Sequence, residues 1–358
     1  MKAISLFSGA GGDTLGMINA GIEVVGFVEN DEDAIQTHLR NFSECSLIGK
    51  DIRTISDETF EQLRGVDIIF GGFPCQSFSN AGKKRVDDKR GQLYHEFVRA
   101  TRIIQPKLVM GENVKGLLSR KDADGVLFIT KIIQEFENIG YHVSHKLINC
   151  RDFGIPQARS RLIIIASRRC PEGTPSQVPE TTSGRNSQSE GEGTIATSIS
   201  GEDKSVIRDV CEFSLQDALL VEKQFIIDMI PNDKCIYSNC VQKPSGKPPT
   251  NLIKCYNNDS ISFKTRTRST YSGIEDIDEP SHTILCTYAR MPRLFIPMRN
   301  GNGLYLRPFT ISELQQLQGF PKEFQFCGSY TSIIKQIGNA IPPGVVTTIL
   351  SNLFELKQ

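Results

Sequence analysis

The chain has 358 residues, 39% of them hydrophobic and 23% charged, and its 41 basic and 41 acidic side chains cancel to a formal net charge of zero. That length can bury a sizeable core and form two domains, and the zero balance means that any polyanion-binding surface must be local. No run reaches the ~18 apolar residues of a membrane span, and Met1-Lys2-Ala3 enters a strand directly, without a signal-peptide layout.

Ala3-Ile4-Ser5-Leu6-Phe7 reads as a short strand, followed by the turn Ser8-Gly9-Ala10-Gly11-Gly12 and a helix through Leu15, Met17, Ile18 and Ala20. Strand, glycine turn, helix is the opening unit of nucleotide-type α/β folds. The pattern Gly9-x-Gly11-Gly12 departs from Gly-x-Gly-x-x-Gly, which argues against a pyrophosphate site. Gly21 closes the helix, and Ile22 to Val28 is a second strand with Glu29 at its carboxyl end. An acid there can hold a ribose diol. It can equally cap the helix that Asn30-Asp31-Glu32-Asp33 leads into. Lys50-Asp51-Ile52 ends another short segment, where Asp51 is either an acceptor for an adenine amino group or a turn aspartate.

Val66 to Phe70 is an apolar run typical of a buried parallel strand. Gly71-Gly72-Phe73-Pro74 then presents Cys75 at the strand's carboxyl end, where open α/β sheets hold ligands. The thiol is a nucleophile or an inert filler, since the chain has ten cysteines and most free ones are small buried hydrophobes. The cysteines are scattered with no Cys-x-x-Cys pair, which predicts no zinc site and suits a reducing intracellular compartment. Lys83 to Gly91 is a basic, glycine-bounded loop, either solvated surface or a lid that clamps an anionic backbone.

A helix is expected over Leu93 to Ile104, then a strand from Lys107 to Val114 with Glu112 at its end. Glu112 and Cys75 should therefore share one rim of the sheet. A helix over Asp124 to Ile139 and a strand over Val143 to Leu147 follow, and Gln157-Ala158-Arg159-Ser160-Arg161 leads into the apolar run Leu162 to Ser167. Arginines two apart at a strand start point to one face, for phosphate, a base edge or ion pairs. Residues 171–205 read as a linker, Ser214 to Ile230 as a helix, and Lys243 to Arg299 as irregular and basic. Within it Lys264, Arg266 and Arg268 share one face at β spacing. Thr310 and Glu313 cap a helix that runs to Gln318 before Gly319, and Val345 to Leu356 is a final helix.

Taken in order, Leu6-Phe7-Ser8-Gly9-Ala10-Gly11-Gly12, Glu29, Asp51-Ile52, Phe73-Pro74-Cys75-Gln76-Ser77, Glu112-Asn113-Val114, Gln157-x-Arg159-x-Arg161, Gln318-Gly319-Phe320-Pro321 and Gly338-Asn339-Ala340 resemble the motifs of cytosine-C5 DNA methyltransferases of the compact prokaryotic or viral type. The resemblance covers residues 1–168 and 305–358. Two positions depart from it: Asn30, where many members carry an aromatic, and Gly111 beside Glu112.

The resemblance implies an α/β, Rossmann-like sheet dependent on S-adenosyl-L-methionine, with a smaller irregular target-recognition domain. Residues 1–168, completed by 330–358, would form the first and 169–329 the second. It implies Cys75 as nucleophile on cytosine C6, Glu112 on the ring N3 and amino group, Arg161 on O2, and Arg159 as a backbone or thiolate partner. It assigns the cofactor to Phe7, Ser8, Gly9, Gly11, Gly12, Glu29, Asn30, Asp51, Ile52, Pro74, Leu93 and Asn339, with no metal. Duplex DNA, with the target base flipped out, would meet Gln76, Ser77, Lys83, Lys84, Arg85, Arg266 and Arg268. A cytoplasmic monomer is implied, working beside a cognate restriction endonuclease or alone. A tRNA-modifying relative is the alternative, but its Cys-Phe-Thr signature is matched only by Cys286-Thr287-Tyr288. A silent DNA-binding relative would lack Cys75 or Glu112, and a dinucleotide oxidoreductase disagrees with the glycine pattern.

Overall fold

The computed structural model describes residues 1–74, 93–122, 124–168, 205–210, 219–220, 230, 232–237, 254–256, 260–262, 273–290 and 294–354. Its larger sheet uses β1 (Lys2–Leu6), β2 (Glu23–Val28), β3 (Ser46–Gly49), β4 (Ile68–Gly71), β5 (Leu108–Val114), β6 (Tyr141–Asn149) and β8 (Ser160–Arg168), in the order β3-β2-β1-β4-β5-β8-β6. Strands β1 to β5 pair in parallel, while β8 runs antiparallel to both β5 and β6.

Parallel strands are covered on both faces, which is why β4 and the first half of β5 are apolar throughout rather than alternating. Successive side chains still divide between faces. Ala3, Ile68 and Met110 enter one core with Met17 and Val346, whereas Ile4, Ile69 and Val109 enter the other with Phe97 and Phe136. The helices are α1 (Gly12–Asn19), α2 (Glu32–Asn41), α3 (Asp57–Glu61), α4 (Leu93–Ile104) and α5 (Phe128–Asn138). The helix expected from Asp124 starts later, because Asp122 instead closes a turn by accepting from the Asp124 and Val126 amides.

The chain returns to this sheet at its C-terminal end. The last described helix packs its Val345, Val346, Ile349 and Leu350 into the first core. A Cβ on Gly16 would lie 2.6 Å from Pro343 O and from Val346 Cβ, so glycine is what lets α1 approach this closely.

The rest forms a second body: α6 (Ile207–Val210), β9 (Leu219–Leu220), β10 (Ile236–Tyr237), the pair β11 (Lys254–Tyr256) and β12 (Ser260–Ser262), β13 (Gly273–Ile274), β14 (Ser281–His282), β15 (Leu294–Asn300) and β16 (Gly303–Pro308). It continues through α7 (Ile311–Leu317) and α8 (Tyr330–Asn339) to α9 (Pro343–Leu353). Ile207, Ile284, Ile296, Phe309, Leu314, Ile334 and Ile337 build its core. Two expectations fail here. The helix over Ser214 to Ile230 is contradicted by β9, whose Leu219 and Leu220 pair with Leu306 and Tyr305. The irregular stretch up to Arg299 contains β15, which forms a hairpin with β16. The Thr310–Glu313 capping box and the φ of +85° at Gly319 are as expected. Strand β14 pairs with the short β7 (Gln157–Ala158) and so fastens the second body to the first.

Candidate active site

A cleft of about 490 Å³ opens at the carboxyl ends of β1, β2, β4 and β5. In this strand order the connections run in opposite directions from β1 and β4, and the crevice there is where open α/β sheets bind ligands. Phe7, Ser8, Gly9, Gly12, Glu29, Asn30, Asp51, Ile52, Pro74, Leu93, Glu112, Arg161 and Asn339 all line it. Gly11 and Arg159 do not.

At the β1 end, Phe7 takes a φ of 60° and Gly9 a φ of 53°, so the chain doubles back into the turn. Such backbone is costly for a non-glycine residue and collects at functional sites. Glu29 fastens the turn: its Oε2 accepts from Gly9 N at 2.8 Å, and its Oε1 accepts from Asn30 N and Asp31 N, each at 2.8 Å. Oε2 retains a lone pair for a ligand hydroxyl. The helix cap for α2 is Asp31, not Glu29, since Asp31 accepts from Ala34 N.

Gly11 departs from its expected role. It caps α1 at a φ of +88°, and a Cβ there would lie 2.5 Å from Phe42 Cε2 and 2.9 Å from His38 Cδ2. The glycine is needed for packing behind the turn. Gly9 is the open position, since a Cβ on it would meet no protein atom within 4 Å.

Asp51 caps the short turn after β3, and both its oxygens are gripped by Arg53, with Nε at 2.9 Å from Oδ1 and Nη2 at 2.5 Å from Oδ2. The hydrogen bond from Arg53 holds the Asp51 carboxyl below its usual range. Arg99 of α4 supports this wall from behind. Its Nη2 donates to Ile52 O and Ile55 O, each at 3.0 Å, and its other nitrogens reach Asp57 and Glu96.

At the β4 and β5 ends, Gly71 sits opposite Gly111 in register, and Asn113 Nδ2 donates to Phe73 O at 3.1 Å. Phe73-Pro74 and Glu112-Asn113 therefore meet on one rim. Glu112 Oε1 lies 2.7 Å from Arg161 Nε, with both side chains 13% exposed. This is an ion pair rather than a directed bond, because Arg161 Nε has no aligned acceptor. Only Arg161 lines the cleft: Arg159 is fully buried and donates to the backbone carbonyls of Ile284, Gly338 and Ala340 behind the cleft wall. Cys75, Gln76, Ser77, Lys83, Lys84, Arg85, Arg266 and Arg268 lie outside the described residues. Of the described thiols, Cys45 and Cys150 are pushed up by burial to about 12 and about 11, which suits apolar filling and not nucleophilic chemistry.

Reasoning from sequence missed Asp13, Arg53 and Lys335, all on the cleft wall. Asp13 accepts from the Ser5 hydroxyl, and burial raises its carboxyl to about 7. An acid in the first turn of a helix following a strand serine was its only signal. Lys335 pairs with Asp31 at 2.5 Å from 304 residues away in sequence, which no local pattern announces. Among the described residues no group of His, Cys, Asp and Glu could hold a metal, and no helix is long and apolar enough to cross a membrane.

Solved structures share this architecture. The S. pombe Dnmt2 methyltransferase superposes with a TM-score of 0.66 at 17% identity, covering 99% of this chain and 98% of that one. The Entamoeba histolytica methyltransferase EhMeth gives 0.64 at 17% identity, covering 100% and 99%. The fold is therefore the Rossmann-like one of these methyltransferases. Within that class, the chain belongs to the C-5 cytosine-specific DNA methylase family, whose profile matches residues 1–355. It is 32% identical to the Type II methyltransferase M.FnuDI of Fusobacterium nucleatum, over 99% of this chain and 94% of that protein. The Type II methyltransferase M.NgoFVII of Neisseria gonorrhoeae is 31% identical over 99% and 87%. The chain is accordingly an enzyme that methylates C5 of cytosine in DNA.

Proposed function

We propose that the cleft binds S-adenosyl-L-methionine and that Cys75, Glu112 and Arg161 act together on a cytosine flipped out of duplex DNA. The observation that carries this reading is the convergence of Pro74, Glu112 and Arg161 on one rim of the cleft, with Cys75 the next residue after Pro74. The cleft suits the cofactor in size and chemistry: open backbone at Gly9, an acceptor on Glu29 for a ribose hydroxyl, and Asp51 and Ile52 for an adenine. When bound, the cofactor supplies an electrophilic methyl group.

The chain's own groups perform the rest. The Cys75 thiolate adds to C6, making an enamine whose C5 carries the electron pair. Glu112 accepts from the exocyclic amino group at the N3 edge of the ring, and Arg161 donates to O2, so charge on the ring is met by fixed partners. Arg161 keeps the Glu112 carboxylate pointed into the cleft until the base arrives. Once C5 is alkylated, its proton leaves and the thiolate is expelled, restoring the aromatic ring.

Gln76, Ser77 and the basic residues Lys83, Lys84 and Arg85 are assigned to the DNA around the flipped base, and Arg266 and Arg268 to its recognition. Residues 1–168 with 330–358 would form the catalytic unit and 169–329 the recognition unit. Ile334 and Ile337 of α8 enter the second core, so that helix straddles the division. A cytoplasmic monomer, working beside a cognate restriction endonuclease or alone, is part of this reading, and the Type II names of the relatives support the restriction context.

The test is a tritiated-methyl assay on duplex DNA beside bisulfite sequencing of host DNA from cells expressing the chain. Methylation at C5 in a fixed sequence is expected. Cys75→Ser should abolish it while a gel shift persists, and 5-fluorocytosine duplex should trap the wild type covalently. Turnover retained by Cys75→Ser would remove Cys75 as the nucleophile.

A further inference from the structure

Arg159 occupies the single position between β7 and β8 and is fully buried. Its Nη1 donates to Ile284 O at 3.1 Å, and its Nη2 donates to Gly338 O at 2.8 Å and Ala340 O at 3.1 Å. Two of these carbonyls flank Asn339, which is exposed and lines the cleft. One guanidinium therefore holds the peptide plane just before Asn339 and the one that follows Ala340, without entering the cleft.

Other buried groups converge on the same point. Gln157 Nε2 donates to Gln318 Oε1 at 2.7 Å, Gln157 Oε1 accepts from Ile284 N at 3.1 Å, and Gln318 Nε2 donates to Ala340 O. Gly338 lies directly on the Leu285–Cys286 backbone, where a Cβ would come within 2.5 Å of Cys286 N. The junction thus joins the stretch Ile284 to Cys286 of the second body to the C-terminal end of α8, which carries Asn339. Arg159 Nε has no aligned acceptor, but the other polar groups of Arg159, Gln157 and Gln318 named here join in one buried network that sets a unique geometry. Burial and the neighbouring Arg161 lower the Arg159 guanidinium to about 9, so it remains a cation at neutral pH.

We propose that Arg159 is a positioning residue: it holds the C-terminal end of α8, Gly338 to Ala340, so that Asn339 faces the cofactor, and it touches neither the base nor the Cys75 thiolate. The proposal rests on the reading that the cleft takes S-adenosyl-L-methionine. Of the backbone and thiolate roles that the resemblance implies for Arg159 it keeps the first, and it leaves Arg161 as the arginine on the substrate.

The experiment measures S-adenosylmethionine affinity by calorimetry, and kcat at saturating cofactor, for Arg159→Lys, Gly338→Ala and Asn339→Ala. Lysine keeps the charge but cannot span three carbonyls. Gly338→Ala disturbs this helix end from the opposite side. Both should weaken cofactor binding ~10-fold or more with kcat within ~3-fold of wild type, since uniform binding is lost and not transition-state contact. Asn339→Ala, exposed and harmless to folding, should weaken binding similarly, and Arg159→Lys added to it should cost little more.

A fall in kcat of ~10²-fold for Arg159→Lys, with cofactor affinity unchanged, would overturn the proposal in favour of substrate contact. Should the junction variants not fold, Asn339→Ala decides: unchanged cofactor affinity there sinks the idea, because Arg159 would have nothing to position. A wild type that binds no S-adenosylmethionine would instead overturn the functional reading itself.

Discussion

Glu112 on β5 and Arg161 on β8 pair across adjacent antiparallel strands, Nε to Oε1 at 2.7 Å, with only 13% of each side chain exposed. The pair brings an acidic and a basic side chain together on one rim of the cleft. Each is the other's counter-charge, and each is expected to hold a different edge of one planar base.

Removing one partner should therefore have two separable effects. Glu112→Gln keeps size and an acceptor and should lower kcat by ~10²–10³-fold, as loss of one preorganised stabilising group does. Glu112→Ala additionally leaves Arg161 without its counter-charge, and should destabilise the fold by ~2–4 kcal/mol in urea titration. A Glu112→Gln enzyme with near-normal turnover would take Glu112 out of the chemistry.

Asp13 predicts a pH dependence. Its folded carboxyl titrates at about 7 against an ordinary value of 3.8, through burial, with the Ser5 hydrogen bond and the opposing charge of Glu29 as lesser influences. The folded state holds this proton more tightly than the unfolded chain. Stability from Asp13 is thus fullest below the ordinary value and is lost as pH rises toward 7, by ~4 kcal/mol over the whole window. Buried His38, lowered to about 3, works in the opposite direction and loses stability as pH falls below 6.5. Cys45, also near Asp13, stays neutral throughout this range. Asp13→Asn isolates the first effect. Its melting temperature should exceed wild type at pH 8 and converge with it near pH 4. A difference that does not vary with pH would show that Asp13 does not titrate in this window.

Arg99 should control the adenosine wall from outside the cleft. It binds Ile52 O, Ile55 O, Asp57 and Glu96, and its guanidinium lies 5.0 Å from the Phe60 ring centroid. A lysine ammonium can make only part of this set. Arg99→Lys is expected to raise KM for the cofactor ~10-fold with kcat within ~2-fold, and to cost ~1–2 kcal/mol of stability. An unchanged KM would mean that the wall is held without it.

How far such features are legible depends on how local their causes are. Strands β1, β4 and β5 and the Thr310–Glu313 cap announce themselves, because burial on both faces and helix capping leave marks within a few residues. The cleft residues Glu29, Asp51 and Glu112 were readable for the same reason: the first two stand just past a strand and Glu112 stands near the carboxyl end of β5. The hairpin of β15 and β16 was not. Pro297 sits inside β15, opposite Leu306, and proline within a run argues against a strand. Its signal lay instead in Asn300-Gly301-Asn302-Gly303, a turn sequence between two apolar runs. Arg159 stayed open between a backbone and a thiolate partner because its partners lie 125, 179 and 181 residues away. Spacing shows that two arginines emerge near each other, not which of them the returning chain covers.

The final prediction concerns Glu29, where charge and hydrogen-bond direction can be separated. Its Oε1 accepts from two amides and its Oε2 from one. In Glu29→Gln the amide nitrogen must replace one oxygen. Facing Asn30 and Asp31 it would oppose two donors, so it should turn toward Gly9 and oppose one. The edge presented to the cleft then changes from acceptor to donor. A ribose hydroxyl loses its acceptor, and the Gly9 amide loses a charge-assisted bond worth ~1.5–3 kcal/mol. Glu29→Gln should therefore weaken cofactor binding ~10-fold or more and lower the melting temperature, while cofactor-free DNA binding stays unchanged. Calorimetry with S-adenosylmethionine and a gel shift without it would check both halves. If cofactor affinity is retained, Glu29 serves only to fasten the glycine turn, and the ribose is held elsewhere.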